Sequence, residues 1–336
     1  MHNEHNQQIS APGLTRRTFL QTTASAATAA MIGCSPREHR DGKRGIETSP
    51  TIDSHMHVWA NDPRRYPLQH PYNKEFKKAP CPATLEMLLE DMDRYGCTHA
   101  IIVQCIYHGW DNSYVAACLQ RAPDRLKVHG LIDPQDPKVA DKLEYWVKEH
   151  GLHGMRFSPV YYDGDNGGDS WLNAPETHEL WRRAEALGVV FNFLIKPGQL
   201  PRLGTMAKAH PGVPVIVDHL GGFNLDIDNP ETTFHYLTDL ARYRNVWVKV
   251  SEFSSVTPGT AYPMEGAWPW VKRTYESFGP DRLLWGTGYP GAARACFGRP
   301  DLGQEIALIR EVIPFLSDED RAKILGRNAA ELWGIA

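Results

Sequence analysis

The sequence has little that would take it out of the class of ordinary folded domains. It has no apolar run long enough to span a bilayer; its best candidate, residues 19–32, is short and diluted by Ala and Thr. A formal charge of −4 over 336 residues, with no long basic stripe, argues against a nucleic-acid partner. The six cysteines form no CxxC pair and no zinc-finger spacing, so the chain is not organised around a structural zinc. No GxGxxG follows the first strand-like segment, which counts against a dinucleotide-binding sheet. There is no internal repeat beyond an alternation of element types, and no second domain boundary.

What is present is a composition of 42% hydrophobic and 23% charged residues, enough to bury a large core without disulfides. The length suits one α/β barrel with insertions. Cys97 and Cys105 fall in or beside an apolar strand-like run and read as buried thiols. The sequence fixes neither a disulfide pairing nor an oligomeric state.

The first fifty residues read as an address followed by a tether. Leu14-Thr15-Arg16-Arg17-Thr18-Phe19-Leu20 resembles a twin-arginine export signal, with a weakly apolar stretch after the basic pair. Met31-Ile32-Gly33-Cys34 resembles a lipobox, although Met departs from the usual Leu at its first position. Two outcomes stay open: lipidation at Cys34, which would be the chain's one membrane contact, or ordinary cleavage nearby. Either way residues 1–34 are expected to be the signal and 35–50 a disordered polar linker. The expected location is periplasmic or lipid-anchored at the envelope.

From residue 51 to 336, short apolar runs alternate with longer amphipathic ones, as parallel strands alternate with crossover helices. Strands are expected at 51–58, 99–105, 127–132, 153–157, 189–195, 213–218, 246–250 and 282–285. Helices are expected from Leu85 to a stop at Gly96, over 179–187 before Gly188, and over 199–210, 234–243 and 301–315, with a further one opened by Ser317. Eight strands in strict alternation predict a closed (β/α)₈ barrel, a TIM barrel, rather than an open sheet.

In such barrels chemistry collects at the C-terminal ends of the strands. The first strand ends Asp53-Ser54-His55-Met56-His57, and its period of two puts His55 and His57 on one side, able to chelate a divalent ion. The sixth ends Val217-Asp218-His219-Leu220-Gly221-Gly222, with glycines that let the backbone approach a ligand. Arg156 on the fourth strand is either a carboxylate anchor or an ion-pair partner in the core. Gln104 on the second strand and Lys249 on the seventh are weaker candidates. Tyr161, Tyr162 and Trp171 lie in a long loop after the fourth strand that reads as a lid, with Tyr162 expected to contact substrate.

Together with Leu284-Trp285-Gly286-Thr287, Tyr289-Pro290 and Ile324-Leu325-x-x-Asn328-Ala329, these motifs resemble the amidohydrolase-related family of metal-dependent TIM barrels. The likeness spans residues 51–336. It implies a metal or substrate site at His55 and His57 and a third histidine at His219, with one divalent ion, zinc or manganese, or none at all. Strand 5 offers Asn192 and Lys196 but no histidine, which is more like the family's lactonases than its decarboxylases.

In one position the sequence departs from the family. The family has Asp after Gly-Thr at the end of strand 8, where it binds metal, activates water, or both. Here Gly288 stands in that place. Strand 7 ends Lys249-Val250-Ser251-Glu252, where the lactonases usually have Gly after Ser, so a carboxylate is gained next to the one lost. Glu252 is expected to act as base or metal ligand, or else to pair with a nearby cation such as Lys249 or Arg156, or to face solvent. The leading expectation is a lactonase-like hydrolase of a small anionic carbohydrate- or aromatic-derived substrate, with His219, Glu252 and Asp218 catalytic and Arg156, Gln104 and Tyr162 binding substrate. A decarboxylase or other lyase, and a non-catalytic binding barrel, are the alternatives.

Overall fold

The computed structural model describes residues 49–162 and 168–336. The twin-arginine motif at Arg16 and Arg17, the Cys34 lipobox and residues 35–48 of the expected linker lie outside the described residues.

Eight strands form one parallel sheet in sequential order: β1 Ile52–Met56, β2 His99–Val103, β3 Leu126–Leu131, β4 Gly154–Phe157, β5 Val190–Phe193, β6 Val215–Val217, β7 Val246–Lys249 and β8 Leu283–Leu284. The barrel closes where the Ser54 amide donates to the Trp285 carbonyl at 3.0 Å and Met56 bridges Gly288 in parallel. Each strand falls inside its expected segment or within a residue of it, and most are shorter. The last shrinks to two residues: Arg282 ends a 3₁₀ turn, Pro280–Arg282, with its amide turned to the Gly279 carbonyl, while its guanidinium donates to the carbonyls of Ala241 and Tyr243.

Between the strands run α1 Leu85–Tyr95, α2 Ser113–Arg121, α3 Val139–His150, α4 Thr177–Leu187, α5 Leu200–Ala209 and α6 Trp268–Phe278. α1 shows how the sequence sets an element. The Thr84 side chain accepts from the Met87 amide at the start, Leu85, Leu88 and Met92 are buried, and Gly96 ends the helix at φ 72°. Three expected helices are broken, the one opened by Ser317 running Asp318–Ala322 before a π-turn, Lys323–Arg327. Residues 234–243 divide into a short helix, His235–Thr238, and a 3₁₀ turn, Asp239–Arg242. Residues 301–315 run as Leu302–Ala307 and then a π-turn, Leu308–Val312, because Ile313 precedes Pro314 and takes an extended ψ of 117°.

Strand alternation sorts the core. Ile102, Met155 and Phe191 face outward into the layer shared with the helices, while Ile101, Val103, Val190, Ile216 and Leu284 fill the barrel with Ala329 and Trp333 from the C-terminal helix. Trp333 donates its indole N–H to His129 at 2.9 Å. Apolar packing thus occupies the interior toward the strand N-termini and leaves polar side chains at the other mouth. Cys97, Cys105 and Cys118 are buried, as expected for the first two. Among the described residues no helix is long and apolar enough to cross a membrane.

Candidate active site

The end of β1 is pinned before it offers any chemistry. Asp53 accepts from the His55 amide at 3.0 Å, from the Thr287 amide at 3.1 Å and from the Thr287 hydroxyl, and burial raises its carboxyl above the ordinary range. Asp53 is therefore a strut between β1 and the segment after β8. A Cβ at Gly286 would come within 2.7 Å of the His55 Cβ, so only glycine lets that segment press so closely on the histidine.

The expected histidine pair is formed. His55 Nε2 and His57 Nε2 stand 3.1 Å apart. His57 donates its Nδ1–H to the Val103 carbonyl at 2.6 Å, which leaves its Nε2 as a lone pair. Burial holds His57 neutral, its pKa lowered to about 3. Burial and the Lys249 ammonium together hold His55 well below the ordinary range, with Asp218 opposing them.

Lys249 is more than a weak candidate. Fully buried, its Nζ lies 2.7 Å from Asn192 Oδ1, 2.8 Å from His55 Nδ1 and 3.1 Å from Asp218 Oδ1. Burial lowers its pKa to about 8, against the pull of Asp218. Asp218 also faces His55 Nδ1 at 3.3 Å and the Arg156 Nε at 3.6 Å. Burial alone would raise this carboxyl; Lys249 and the histidines hold it well below the ordinary range.

His219 sits in a left-handed turn, φ 47°, continued by Leu220, Gly221 and Gly222. The close approach those glycines permit is to protein rather than to a ligand: a Cβ at Gly222 would meet the Ile195 carbonyl at 2.4 Å. The turn brings His219 Nδ1 to 2.8 Å from Ser251 Oγ and His219 Nε2 to 3.6 Å from Glu252 Oε1.

Glu252 also has a left-handed backbone, φ 56° and ψ 44°, a conformation that glycine adopts freely and that costs an L-residue about 1 kcal/mol or more. It does pair with a nearby cation, but that cation is Arg299 rather than Lys249 or Arg156. Arg299 Nη2 donates to Oε2 at 2.7 Å, Ser255 Oγ lies 3.3 Å away, and Arg299 Nη1 donates to Ser254 at 2.6 Å. Its other oxygen, Oε1, is 3.4 Å from where a Cβ at Gly288 would stand. Burial would raise the Glu252 carboxyl, but His219, Arg299 and His57 bring it below the ordinary value.

These groups share a cavity of about 190 Å³ lined by His57, Arg156, His219, Glu252 and Arg299, with Trp59, Tyr107, Tyr161 and Tyr289 among its aromatic walls. Of the expected substrate contacts only Arg156 lines it. Gln104 spends its amide on the carbonyls of Gly109 and Asp111, ordering the loop after β2. Tyr162 is buried against Trp171 and points its hydroxyl at Asp133, 3.4 Å away. Arg299, Tyr107 and Trp59 were not singled out from the sequence. Trp59 had a signal, since it keeps the two-residue step of His55 and His57; Arg299, in the loop beyond β8, had none.

The donor set suits a divalent ion. His55, Asp218 and His219 each present one ligand atom within 4.8 Å of the others. Zinc–nitrogen bonds of about 2.0–2.1 Å at near-tetrahedral angles separate two nitrogens by about 3.3 Å, close to the His55–His57 spacing.

The sequence model of the amidohydrolase family matches residues 52–335, and the chain belongs to that family. It is 28% identical over 284 residues to a 4-sulfomuconolactone hydrolase of Rhizobium radiobacter, covering 84% of this chain and 89% of the relative. It is 25% identical over 290 residues to an L-fucono-1,5-lactonase of Burkholderia ambifaria, covering 84% and 95%. A crystal structure of an amidohydrolase from Burkholderia multivorans with bound zinc superposes with a TM-score of 0.66 at 21% identity, over 86% of this chain and all of that one.

Proposed function

We propose that this member of the amidohydrolase family opens the ring of a small anionic lactone, with Glu252 as general base. One observation carries the reading: Glu252 Oε1 stands 3.4 Å from the Cβ position of Gly288, so a carboxylate fills space beside the residue where the family keeps its aspartate. The left-handed backbone at Glu252 supports it too, because strain retained at a cavity wall points to function.

In this reading Arg156, which lines the cavity and whose Nε faces Asp218 at 3.6 Å, binds the substrate's anionic group. Glu252 Oε1 takes a proton from the attacking water while Arg299 holds the other oxygen. His219 Nε2, next to Oε1, passes a proton to the ring oxygen as the acyl C–O bond breaks. Lys249 fixes Asp218 and His55 from below. A divalent ion, zinc or manganese, would be held by His55 and His57 with Asp218, and would supply Lewis-acid polarisation of the lactone carbonyl.

The lactone names of the curated relatives support a lactone rather than an amide, and the Arg156 guanidinium in the cavity supports an anionic one. The test is a pH-stat assay of the purified chain, with and without added zinc or manganese, on carboxylated, sulfonated and sugar-acid lactones, with CO₂ release followed in parallel. Acid release from an anionic lactone is expected. Release of CO₂ without ring opening would move the assignment to the decarboxylases, and inertness toward every compound would favour a binding barrel.

A further inference from the structure

The proposed chemistry uses none of the cysteines, yet two of them meet. Cys81 lies in the long connection between β1 and α1, and Cys296 ends the short helix Ala293–Cys296 beyond β8. Cys81 packs in one apolar cluster with Ala293 and Phe297, and its thiol has the Cys296 thiol as side-chain partner. Cys296 is exposed and Cys81 half-buried, whereas the other three cysteines of the described residues are buried.

Both segments also hold the cavity wall. The Cys81 carbonyl accepts from the Trp59 indole at 2.8 Å. Phe297, next to Cys296, stacks on Tyr289 with ring centroids 4.0 Å apart, and its ring centroid is 6.1 Å from that of Trp59. Trp59 and Tyr289 both line the cavity. Two thiols brought together by loops from opposite ends of the sequence are placed for a bond no local constraint supplies.

We propose that Cys81 and Cys296 form a disulfide that clamps the β1–α1 connection to the loop beyond β8 along this wall. The oxidant is a disulfide donor, RSSR. The exposed Cys296 thiolate attacks it, giving a Cys296–SR mixed disulfide and one RSH. The Cys81 thiolate then displaces the second RSH and closes the Cys81–Cys296 bond, so the donor takes up two electrons and the two thiol protons. Burial, with Cys296 beside it, raises the Cys81 pKa to about 12, so the closing step is slow at neutral pH and quickens as pH rises. The link joins residues far apart in the chain, so it restricts the unfolded state strongly.

The full chain is incubated with oxidised glutathione over a pH series, its remaining thiols are blocked with a maleimide, and the digest is read by mass spectrometry beside a thermal melt. The expected result is a peptide linking Cys81 to Cys296, formed faster at higher pH, with a raised melting midpoint. Cys296→Ser, at an exposed position, is expected to melt like the reduced wild type and gain nothing from the donor. Recovery of both thiols as maleimide adducts, or of a persistent Cys296–glutathione adduct, would overturn the proposal. A cross-link that leaves the midpoint unchanged would overturn the clamp.

Discussion

Replacing Glu252 with Gln keeps the shape of the side chain and removes its charge. The amide oxygen can still accept from Arg299 Nη2, now 2.7 Å from Oε2, and the backbone at φ 56° is as strained as before. What folding loses is the difference between a charge-assisted and a neutral hydrogen bond, about 1 kcal/mol. Over a barrel of this size that lowers the melting midpoint by about 2–4 °C. Catalysis loses far more. An amide accepts no proton, and the nitrogen replacing Oε1 faces His219 and the cavity, so kcat is expected to fall about 10²–10⁴-fold, roughly 3–5 kcal/mol of barrier. KM should change little, because Glu252 is asked to act on water, not on the bound anion. Steady-state kinetics and a thermal melt on the same preparations separate the two effects. The wild-type acid limb should lie below pH 4.5, since the Glu252 pKa is depressed, and its share of stability, present above 4.5, is lost as pH falls through the folded value. An unaltered kcat in Glu252→Gln would refute the reasoning. Gly288→Asp alone is expected to impair the enzyme, because its Cβ would stand 3.4 Å from Glu252 Oε1 at a φ of 96°.

Lys249 predicts an alkaline limb. Its pKa of about 8 means that kcat/KM should fall above that pH as the charge holding Asp218 and His55 is lost, while Lys249→Met should show a low plateau without the limb; a wild-type plateau extending to the ordinary lysine range would contradict this. A depressed pKa in a base also means the unfolded chain binds the extra proton between 8 and 10.5, so this group makes stability rise with pH across that window. For metal, His57 stays neutral down to about pH 3, so protonation of this ligand should not expel an ion at mildly acidic pH; equal metal content in wild type and the His55→Ala, His57→Ala double variant would place any ion elsewhere. Changing Arg16 and Arg17 to Lys should leave the chain in the cytoplasm on cell fractionation, and unchanged export would reject the address read from the sequence.

The barrel was legible because its signal is repeated eight times, and an error at one strand end, as at Arg282, does not disturb the rest. His55 and His57 were legible because they share one strand, where a period of two fixes their side. Glu252 beside Gly288 was legible as a swap between neighbouring strand ends. Residues whose position depends on loops were not. Arg299 reaches Glu252 across 47 positions, and nothing local in Gly298-Arg299-Pro300 marks that. Gln104 and Tyr162 fall outside the cavity for the opposite reason: a strand end and a loop position looked open, but neighbouring loop carbonyls engage Gln104 and Asp133 engages Tyr162. Lys249 looked minor because a buried ammonium is costly unless partners converge on it, and its partners come from three other strands or strand ends, β1, β5 and the end of β6.

The most direct test of the account is kcat/KM on a matched pair of lactones that differ only in one carboxylate, measured for the wild type and for Arg156→Met. The account predicts that the wild type opens the anionic lactone to its hydroxy acid and prefers it over the neutral partner, and that Arg156→Met loses that preference mainly through KM. Equal turnover of the two lactones, or an Arg156→Met enzyme that keeps the preference, would contradict it.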